Sequence, residues 1–291
     1  MKFTKMHGLG NDYIYIDCMD GSFGGADSSL IYDDDRLAEI SRRLSDRHCG
    51  IGGDGIIMIL PSDNADFKMR IFNADGSEAK MCGNGSRCVG KYVYDHHHTQ
   101  KCDITLETLS GVKYLHLVPG DDGRIVSVTV DMGLPELTPN LIPVSVHAGC
   151  GNVDIPVNVA GEDLRLTAVS MGNPHGVVFV DEVTDAHVLG TGPGLEVHPM
   201  WPDRANIEFA QVISPDEIRM RVWERGSGET MACGTGACAT AVAAILTGRT
   251  NREVTVHLPG GDLRVEWNRQ SGHVFMTGGA TEVFSGEVSD F

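Results

Sequence analysis

The sequence predicts a mixed α/β (α+β) fold of two pseudo-symmetric domains, each a curled, mostly antiparallel sheet around a central helix. The main observation is a duplicated motif at residues 70–88 and 221–239, in which Arg precedes Cys-Gly-x-Gly by 12 residues. β-rich segments separated by Gly turns fill much of the remaining chain. The Ala-rich segment 234–246 carries almost no charge, so it needs burial on all sides, which a surrounding sheet would provide.

The first half shows alternating strand and helix signals. In chain order we expect strands on both sides of the Gly-rich turn 8–12, a helix at 36–44, strands at 56–60 and 68–73, a helix at 84–94, and strands from 103 to 130. The acidic, Gly-rich and Ser-rich stretch between the second strand and the first helix predicts a surface loop, residues 19–35.

The second half repeats this order. Gly172-Asn173 matches Gly10-Asn11, and Asn206 and Gly55 each lie 15 residues before the Arg of their motif. The helix predicted at 234–246 should end at Gly248, a residue type that favours helix termination. A Pro-containing segment follows residues 131–133, and we place the domain boundary there. The predicted domains are residues 1–130, with 279–291 returning to them, and residues 131–278.

Composition restricts the class of protein. The 291 residues are 41% hydrophobic and 22% charged, with a net charge of −17, which does not favour nucleic acid or anionic membranes as partners. No apolar run approaches the roughly 20 residues of a membrane span, and the N-terminus lacks the apolar core of a signal peptide. Eight Cys are too few for a disulfide scaffold, so we expect a cytoplasmic protein with reduced thiols.

Two of these thiols occupy chemically special positions. Cys82 and Cys233 each directly precede a predicted helix, whose first amides have no carbonyl partner within the helix. Those amides form a site for an anion, and the helix dipole is expected to lower the pKa of the adjacent thiol.

If the two sites face each other across an interdomain cleft, a substrate carboxylate could be held by both helix ends. One thiolate could then remove the α-proton while the opposite thiol protonates the other face, which is a two-base stereoinversion. The fixed dipoles would stabilise the enolate-like charge, so this reading requires no cofactor and no metal.

Other interpretations of the Cys and His residues remain open at this point. The other six cysteines are interpreted as buried small hydrophobes. Zinc sites normally have Cys-x2-Cys pairs, which this chain lacks, whereas the run of three His at 96–98 could chelate a metal. A Cys82–Cys233 disulfide would be an oxidative dead end, and a hydrolase using Cys233 and His175 lacks a specific signal for its electrophile site.

The motifs resemble those of one family. MKFTKMHGLGNDYIYID, DRHCGIGGDG, FNADGSEAKMCGNGSRC, MGNPH, RANIEF and ERGSGETMACGTGACA occur in the order found in diaminopimelate epimerases, and the resemblance covers nearly the whole chain. This family catalyses cofactor-independent epimerisation in lysine and peptidoglycan precursor synthesis. The resemblance therefore implies a small diamino dicarboxylate as substrate and a possible homodimer.

The resemblance also implies roles for individual residues. Cys82 and Cys233 would be the acid–base pair, with His175 as polar support. The implied substrate-binding residues are Asn11, Asn73, Gly83, Asn84, Asn173, Asn206, Glu224, Arg225, Gly234 and Thr235. Among them Arg225 suits a distal carboxylate, because a guanidinium binds such a group through two parallel hydrogen bonds.

Two departures from the family pattern and two competing functions complete the prediction. Gly55 stands where many members have a polar side chain, and the loop 19–35 is long and acidic.

A proline or hydroxyproline racemase-like enzyme would not need Arg225 or the set of Asn side chains. A non-catalytic ligand-binding or redox relative would not need both Cys82 and Cys233.

Overall fold

The computed structural model describes residues 1–21, 33–146 and 150–289. Most of the acidic loop predicted at 19–35 lies outside these residues. The chain forms two compact units, one of Met1–Val130 with Gly278–Phe291 and the other of Asp131–Thr277. Among the described residues, no helix is both long and apolar enough to cross a membrane.

Among the described residues, the first unit contains eight strands from its main segment, one strand from the C-terminal segment and two helices. They are β1 (Lys2–Gly8), β2 (Asn11–Asp17), α1 (Asp34–Ser45), β3 (Gly55–Leu60), β4 (Phe67–Asn73), β5 (Glu78–Ala79), α2 (Gly83–Asp95), β6 (Asp103–Thr108), β7 (Gly111–Pro119), β8 (Ile125–Gly133) and β18 (Thr281–Glu287). The strand order is β18-β1-β2-β3-β4-β6-β7-β8, with β2–β3 and β4–β6 parallel and the other neighbours antiparallel.

Helix α2 lies inside this curled sheet. It packs against β1, β2 and β18 near one end of the strand order and against β7 near the other. On the opposite face of β3, Leu37, Ile40 and Leu44 of α1 pack in a cluster that includes Ile56 and Met58. Strand β3 is therefore buried on both faces, which explains why its sequence is continuously apolar.

The second unit contains the same succession of elements. They are β9 (Ile155–Val159), β10 (Glu162–Ser170), β11 (Pro174–Phe179), a π-helical turn (Ala186–Thr191), α3 (Gly192–Glu196), β12 (Asn206–Ser214), β13 (Glu217–Glu224), β14 (Gly228–Glu229), α4 (Gly234–Leu246), β15 (Glu253–Leu258), β16 (Gly261–Trp267) and β17 (Val274–Gly278). The order is β9-β10-β11-β12-β13-β15-β16-β17, and again two neighbour pairs are parallel, β11–β12 and β13–β15.

Helix α4 is enclosed by this second sheet, packing against β10 to β13, β15 and β16. Nearly all of its residues are buried, as its lack of charge requires. The helix predicted at 234–246 is confirmed, and Gly248 follows its C-cap with a φ of +69°. The predicted fold class is thus confirmed, with a curled sheet around a helix in each unit.

The pairing register of the parallel strands shows which residues of the two units correspond to each other. Ile14 pairs with Ile56 in the first unit, and Gly176 pairs with Ile207 in the second. This alignment places Tyr13 at the position of His175 and Ile57 at the position of Glu208. The duplicated Arg–Glu spacing also gives the same ion pair twice, since Nε of Arg70 and Nε of Arg221 each lie 2.7 Å from a Glu carboxylate, those of Glu78 and Glu229.

Three cysteines do not have the burial that we expected. Cys49 and Cys150 are exposed and Cys102 is only half-buried, so their interpretation as core residues was wrong. Cys49 lies in the loop after α1, where its backbone amide bonds to the Asp46 carboxylate, which leaves its side chain at the surface. Cys18, Cys88 and Cys238 are buried as expected.

Candidate active site

Cys82 is the N-cap residue of α2. Its extended backbone (φ −139°, ψ 113°) turns the thiol back over the helix, so Sγ accepts a hydrogen bond from the Gly85 amide at 3.3 Å. Gly83 and Asn84 are the first helical residues, and their amides point out of the helix end. A Cβ added at Gly85 would lie 2.7 Å from Cδ1 of Ile57, so the end of the Ile57 side chain would have to shift. The half-buried sulfur thus stands beside a helix terminus that favours anions.

Asn11 links Cys82 to a charged network. Its Oδ1 lies 3.3 Å from Cys82 Sγ and 3.4 Å from Asn84 Nδ2, while its Nδ2 donates to Asp54 Oδ2 at 2.8 Å. Because an ionised carboxylate can only accept, Asp54 fixes which side of the Asn11 amide faces the sulfur. Arg47 in turn binds Asp54 at 2.9 Å, so the orientation is supported from the surface.

Asn73 lies at the end of β4, beside Gly55 in the strand register. Its Oδ1 accepts a hydrogen bond from the Tyr13 hydroxyl at 3.3 Å, and its Nδ2 donates to Ser77 at 3.1 Å. Gly55 has no room for a side chain, because a Cβ would lie 2.1 Å from the Phe72 carbonyl oxygen. Local backbone packing therefore requires a glycine at position 55.

Cys233 repeats the N-cap geometry at α4. Its backbone is extended (φ −116°, ψ 108°), and Sγ accepts a hydrogen bond from the Gly236 amide at 3.3 Å. The helix begins with Gly234 and Thr235, and the Thr235 hydroxyl oxygen lies 3.5 Å from Sγ. In contrast to Cys82, this side chain is buried, with 6% of its surface exposed.

The pKa of Cys233 moves in the direction opposite to our expectation. Burial raises the pKa of this thiol well above its ordinary value, and the charges of Glu224 and Glu208 raise it further. The hydrogen bonds from Thr235 and the Gly236 amide lower the pKa, but they do not outweigh desolvation. The expected thiolate-favouring effect of the helix end is therefore present at Cys233 but is smaller than the cost of burying a charge.

A connected set of polar side chains surrounds Cys233. Asn173 Nδ2 donates to the Thr235 hydroxyl oxygen at 3.4 Å, and Asn173 Oδ1 lies 3.1 Å from Nε2 of His175. The other ring nitrogen of His175 lies 2.7 Å from Oε1 of Glu208, and both of these side chains are fully buried. The structure thus brings the predicted residues Asn173, His175 and Thr235 together beside Cys233.

Glu224 and Arg225 have separate environments and do not form the surface ion pair that their adjacency allows. Glu224 accepts a hydrogen bond from Thr230, and burial raises the pKa of its carboxyl although Thr230 and His175 lower it. Arg225 is exposed, and its guanidinium donates to the Asp203 carbonyl at 3.0 Å. Its backbone amide donates to Asn206 Oδ1 at 2.9 Å, so Asn206 anchors the turn that carries Arg225.

Glu196 supports the same turn from α3. One carboxylate oxygen accepts from Nε1 of Trp223 at 2.8 Å and the other accepts from the Gly226 amide at 2.9 Å. The two bonds hold the residues immediately before and after the Glu224-Arg225 pair. The position of Arg225 is therefore fixed through its backbone, while its side chain stays accessible.

The three consecutive His residues do not converge on one another. Nε2 of His96 lies 3.0 Å from Glu282, and Nε2 of His98 lies 2.7 Å from Asp17. Within residues 1–21, 33–146 and 150–289, no group of three or more His, Cys, Asp or Glu side chains is arranged to hold a metal ion.

Two acidic residues near the cysteines, Asp54 and Glu208, were not predicted from the sequence. Asp54 lies within the Gly-rich motif DRHCGIGGDG, whose glycines indicate a turn, and Glu208 lies within a strand. A signal for Glu208 was available, because aligning the two halves sets this charged residue against Ile57. The surrounding burial, which makes the charge unusual, becomes visible only in the folded chain.

The pKa of Cys233 predicts its reactivity. Iodoacetamide should label Cys82 faster than Cys233 at pH 8, because alkylation requires an accessible thiolate. Glu224→Gln removes a negative charge that raises the pKa of Cys233, so the midpoint of Cys233 labelling should move to lower pH. Peptide mapping by mass spectrometry measures both rates. Glu217→Gln, at the exposed start of β13, is the matched control and should leave the midpoint unchanged.

Comparison with known proteins gives a consistent result. The family model described as diaminopimelate epimerase matches residues 3–138 and 167–283. A diaminopimelate epimerase of Agathobacter rectalis is 52% identical over 294 residues, covering 99% of both chains. One from Desulfovibrio desulfuricans is also 52% identical, over 292 residues, covering 99% of this chain and 98% of the relative.

Solved structures show the same fold at low sequence identity. A phenazine biosynthesis protein of the PhzF family from Bacillus anthracis superposes with a TM-score of 0.70 at 18% identity, covering 100% of this chain and 99% of that chain. A probable proline racemase from Agrobacterium radiobacter gives a TM-score of 0.67 at 17% identity, covering 99% and 92%. At such identities the likeness concerns the fold alone.

Proposed function

The chain belongs to the diaminopimelate epimerase family, and we propose that it interconverts LL- and meso-diaminopimelate with Cys82 and Cys233 as its two acid–base groups. The observation that carries this assignment is the duplicated helix N-cap, in which a Cys sulfur accepts a hydrogen bond from the third residue of its helix at 3.3 Å in both units. A single Cys of this kind would be an ordinary cap. Two at corresponding positions supply the pair of groups that inversion at carbon requires.

In the proposed reaction the α-carbon loses one proton to one cysteine and gains one proton from the other. The thiolate of one Cys removes the α-proton, and the electron pair of the broken C–H bond passes into the α-carboxylate as an enolate. The thiol of the other Cys then gives its proton to the opposite face of the carbon and becomes the thiolate. The two sulfurs have exchanged protonation states, so the next turnover can run in the reverse direction.

We assign the α-carboxylate to the ends of the two helices. The first residues of α2 and α4 lie at helix N-termini, where the backbone amides point out of the helix and carry the positive end of the helix dipole. These donors would bind the carboxylate before reaction and the additional enolate charge during it, which is how fixed dipoles lower such a barrier. The residues in this role are Gly83, Asn84, Gly234 and Thr235.

The remaining predicted residues would recognise the rest of the substrate. Arg225 is exposed and its guanidinium makes one backbone contact, so donors remain for a distal carboxylate. Asn amides can both donate and accept, which suits an ammonium next to a carboxylate. We assign the binding of the substrate's ammonium and carboxylate groups to Asn11, Asn73, Asn173 and Asn206, together with the carboxyl group of Glu224. His175 would support Asn173.

The enzyme acts on a small molecule, and we propose a cytoplasmic homodimer as its working form. Both parts of this proposal follow from the resemblance to the family and from the free thiols that the reaction needs. Light scattering coupled to size-exclusion chromatography would test the dimer, for which a mass near twice 31.3 kDa is expected.

Deuterium incorporation tests the proposed reaction. In D2O, LL-diaminopimelate should give meso product carrying one deuterium at the inverted α-carbon, while the remaining substrate stays unlabelled at early times. This pattern arises because the proton is removed by one sulfur and the deuterium is delivered by the other. Mass spectrometry and proton NMR measure it. Equal early labelling of substrate and product would contradict two bases, and labelling of proline but not diaminopimelate would reject the assigned substrate.

A further inference from the structure

Glu208 is an acid in an unusual place. It lies in β12, its side chain is fully buried, and the corresponding residue of the first unit is Ile57. Burying a carboxyl costs free energy unless a partner compensates it, and an apolar residue at such a site is often more stable. The fold does not require the acid there, since Ile serves in the first unit.

The partner of Glu208 is His175, which is equally buried. Oε1 of Glu208 lies 2.7 Å from Nδ1 of His175, while Oε2 has no hydrogen-bond partner. The carboxyl also lies against the first turn of α4, because a Cβ on Gly236 would be 2.7 Å from Oε1. Gly236 therefore permits the acid to approach the helix that Cys233 caps.

The contacts of His175 fix where its protons are. Nε2 faces Oδ1 of Asn173 at 3.1 Å, and a carbonyl oxygen can only accept, so Nε2 carries a hydrogen. The short contact at Nδ1 holds a second proton, shared between the ring and the Glu208 carboxyl. Whichever atom holds the shared proton, Nε2 remains a donor.

From His175 the hydrogen bonds continue toward the sulfur. With its Oδ1 occupied by the imidazole, Asn173 presents Nδ2 to the Thr235 hydroxyl oxygen at 3.4 Å. That hydroxyl then has its own hydrogen available for Cys233 Sγ at 3.5 Å. A hydrogen bond donated to sulfur favours the thiolate, which opposes the effect of burial on Cys233.

The first unit has the opposite arrangement. There the Asp54 carboxylate accepts from Asn11 Nδ2, so Asn11 Oδ1 faces Cys82. Tyr13 occupies the place of His175 and donates to Asn73 instead of Asn11. The direction of donation around each sulfur is thus set by a different acid in a different position.

We propose that Glu208 is a positioning residue that keeps His175 protonated on Nε2 and thereby directs the Asn173–Thr235 hydrogen bonds toward Cys233. The proposal rests on the proposed function only in taking Cys233 as a reacting group. The orientation of His175 can be measured without any turnover.

Nitrogen NMR of the imidazole tests the proton position directly. In ¹⁵N-His-labelled protein, the resonances of His175, identified by their loss in His175→Gln, should show a protonated Nε2. Glu208→Leu removes the partner of Nδ1, so His175 should become a mixture of the two neutral tautomers. Ile57→Leu, the same kind of core change at the matching position of the first unit, should leave the His175 resonances unchanged.

Kinetics provide the second readout. Glu208→Leu should lower kcat about tenfold to a hundredfold with little change in KM, because the supporting network is misdirected while substrate contacts remain. Glu208→Gln should stay within about threefold of wild type at its optimum pH, since the Gln amide can donate to Nδ1 and keep the hydrogen on Nε2.

Several results would overturn the proposal. They are an unprotonated Nε2 in the wild type, an unchanged His175 spectrum or kcat in a folded Glu208→Leu protein, and a Gln variant as impaired as the Leu variant. If Glu208→Leu does not fold, the proposal is still tested by the protonation of Nε2 in the wild-type spectrum and by the kcat of the Glu208→Gln variant. A wild-type enzyme without epimerase activity but with protonated Nε2 would reject the proposed function alone.

Discussion

Cys82→Ser and Cys233→Ser should each lower kcat for epimerisation by about 10³-fold or more. A general acid or base contributes roughly 10² to 10⁴ to a rate, and each sulfur serves as both in turn. Serine is chosen because it is a preferred N-cap residue, so the bond from the third helical amide is kept. Its hydroxyl is a far weaker acid than a thiol, so the cap survives while proton transfer does not.

The measurement is the initial rate of conversion of LL- to meso-diaminopimelate, together with thermal unfolding of each variant. Cys49→Ser and Cys238→Ser are matched controls, one at an exposed thiol and one at a buried thiol within α4. Both controls should keep their kcat within a few-fold of wild type. Near-normal turnover by a folded Cys82→Ser or Cys233→Ser protein would reject the two-thiol mechanism.

The sequence was informative about the fold because the duplication constrains it twice. Helix 234–246 could be predicted from its composition, and its enclosure by a sheet follows from its lack of charge. The equivalence of β3 and β12 could be read from the 15-residue spacing to each Arg. Such predictions depend on local pattern and repetition, which one sequence contains.

The electrostatics of the site could not be predicted in the same way. The N-cap position of Cys233 correctly predicts a hydrogen bond from the helix, but its pKa also depends on how much protein covers the sulfur and on which charges lie near it. Glu224 and Glu208 come from different strands, and their approach to Cys233 is a property of the packed unit. The sign of the pKa shift was therefore wrong from sequence alone.

Asp54 shows the same limit for hydrogen bonding. Its motif, DRHCGIGGDG, indicates a turn through its glycines, and Gly52 has the positive φ of +83° that such a turn needs. The turn brings Asp54 to Asn11, 43 residues away in sequence, and so orients an amide beside Cys82. A local pattern identifies the turn but cannot identify that distant partner.

Arg225→Met should lower kcat/KM for diaminopimelate by about 100-fold, mainly through KM. Among the described residues, the exposed guanidinium contacts the Asp203 carbonyl and the Arg225 backbone amide is anchored by Asn206, so we assign the remaining guanidinium donors to the distal carboxylate. Hydrogen bonds between charged groups contribute about 1.5–3 kcal/mol each, and tenfold in affinity corresponds to about 1.4 kcal/mol. Arg225→Lys should recover part of the loss, because it restores the charge without the bidentate geometry.

A truncated substrate separates this role from a general disturbance of the site. Lysine has the reacting amino acid and the distal amine but lacks the distal carboxylate, so the wild type should exchange its α-proton slowly. Arg225→Met should not slow lysine exchange further, because the interaction it removes is already missing. Arg204→Met is the matched control, since Arg204 is an exposed neighbour that contacts Glu196 at 3.6 Å. Equal losses with both substrates would mean that Arg225 acts on the fold of the turn, whereas a loss confined to diaminopimelate requires contact with its distal end.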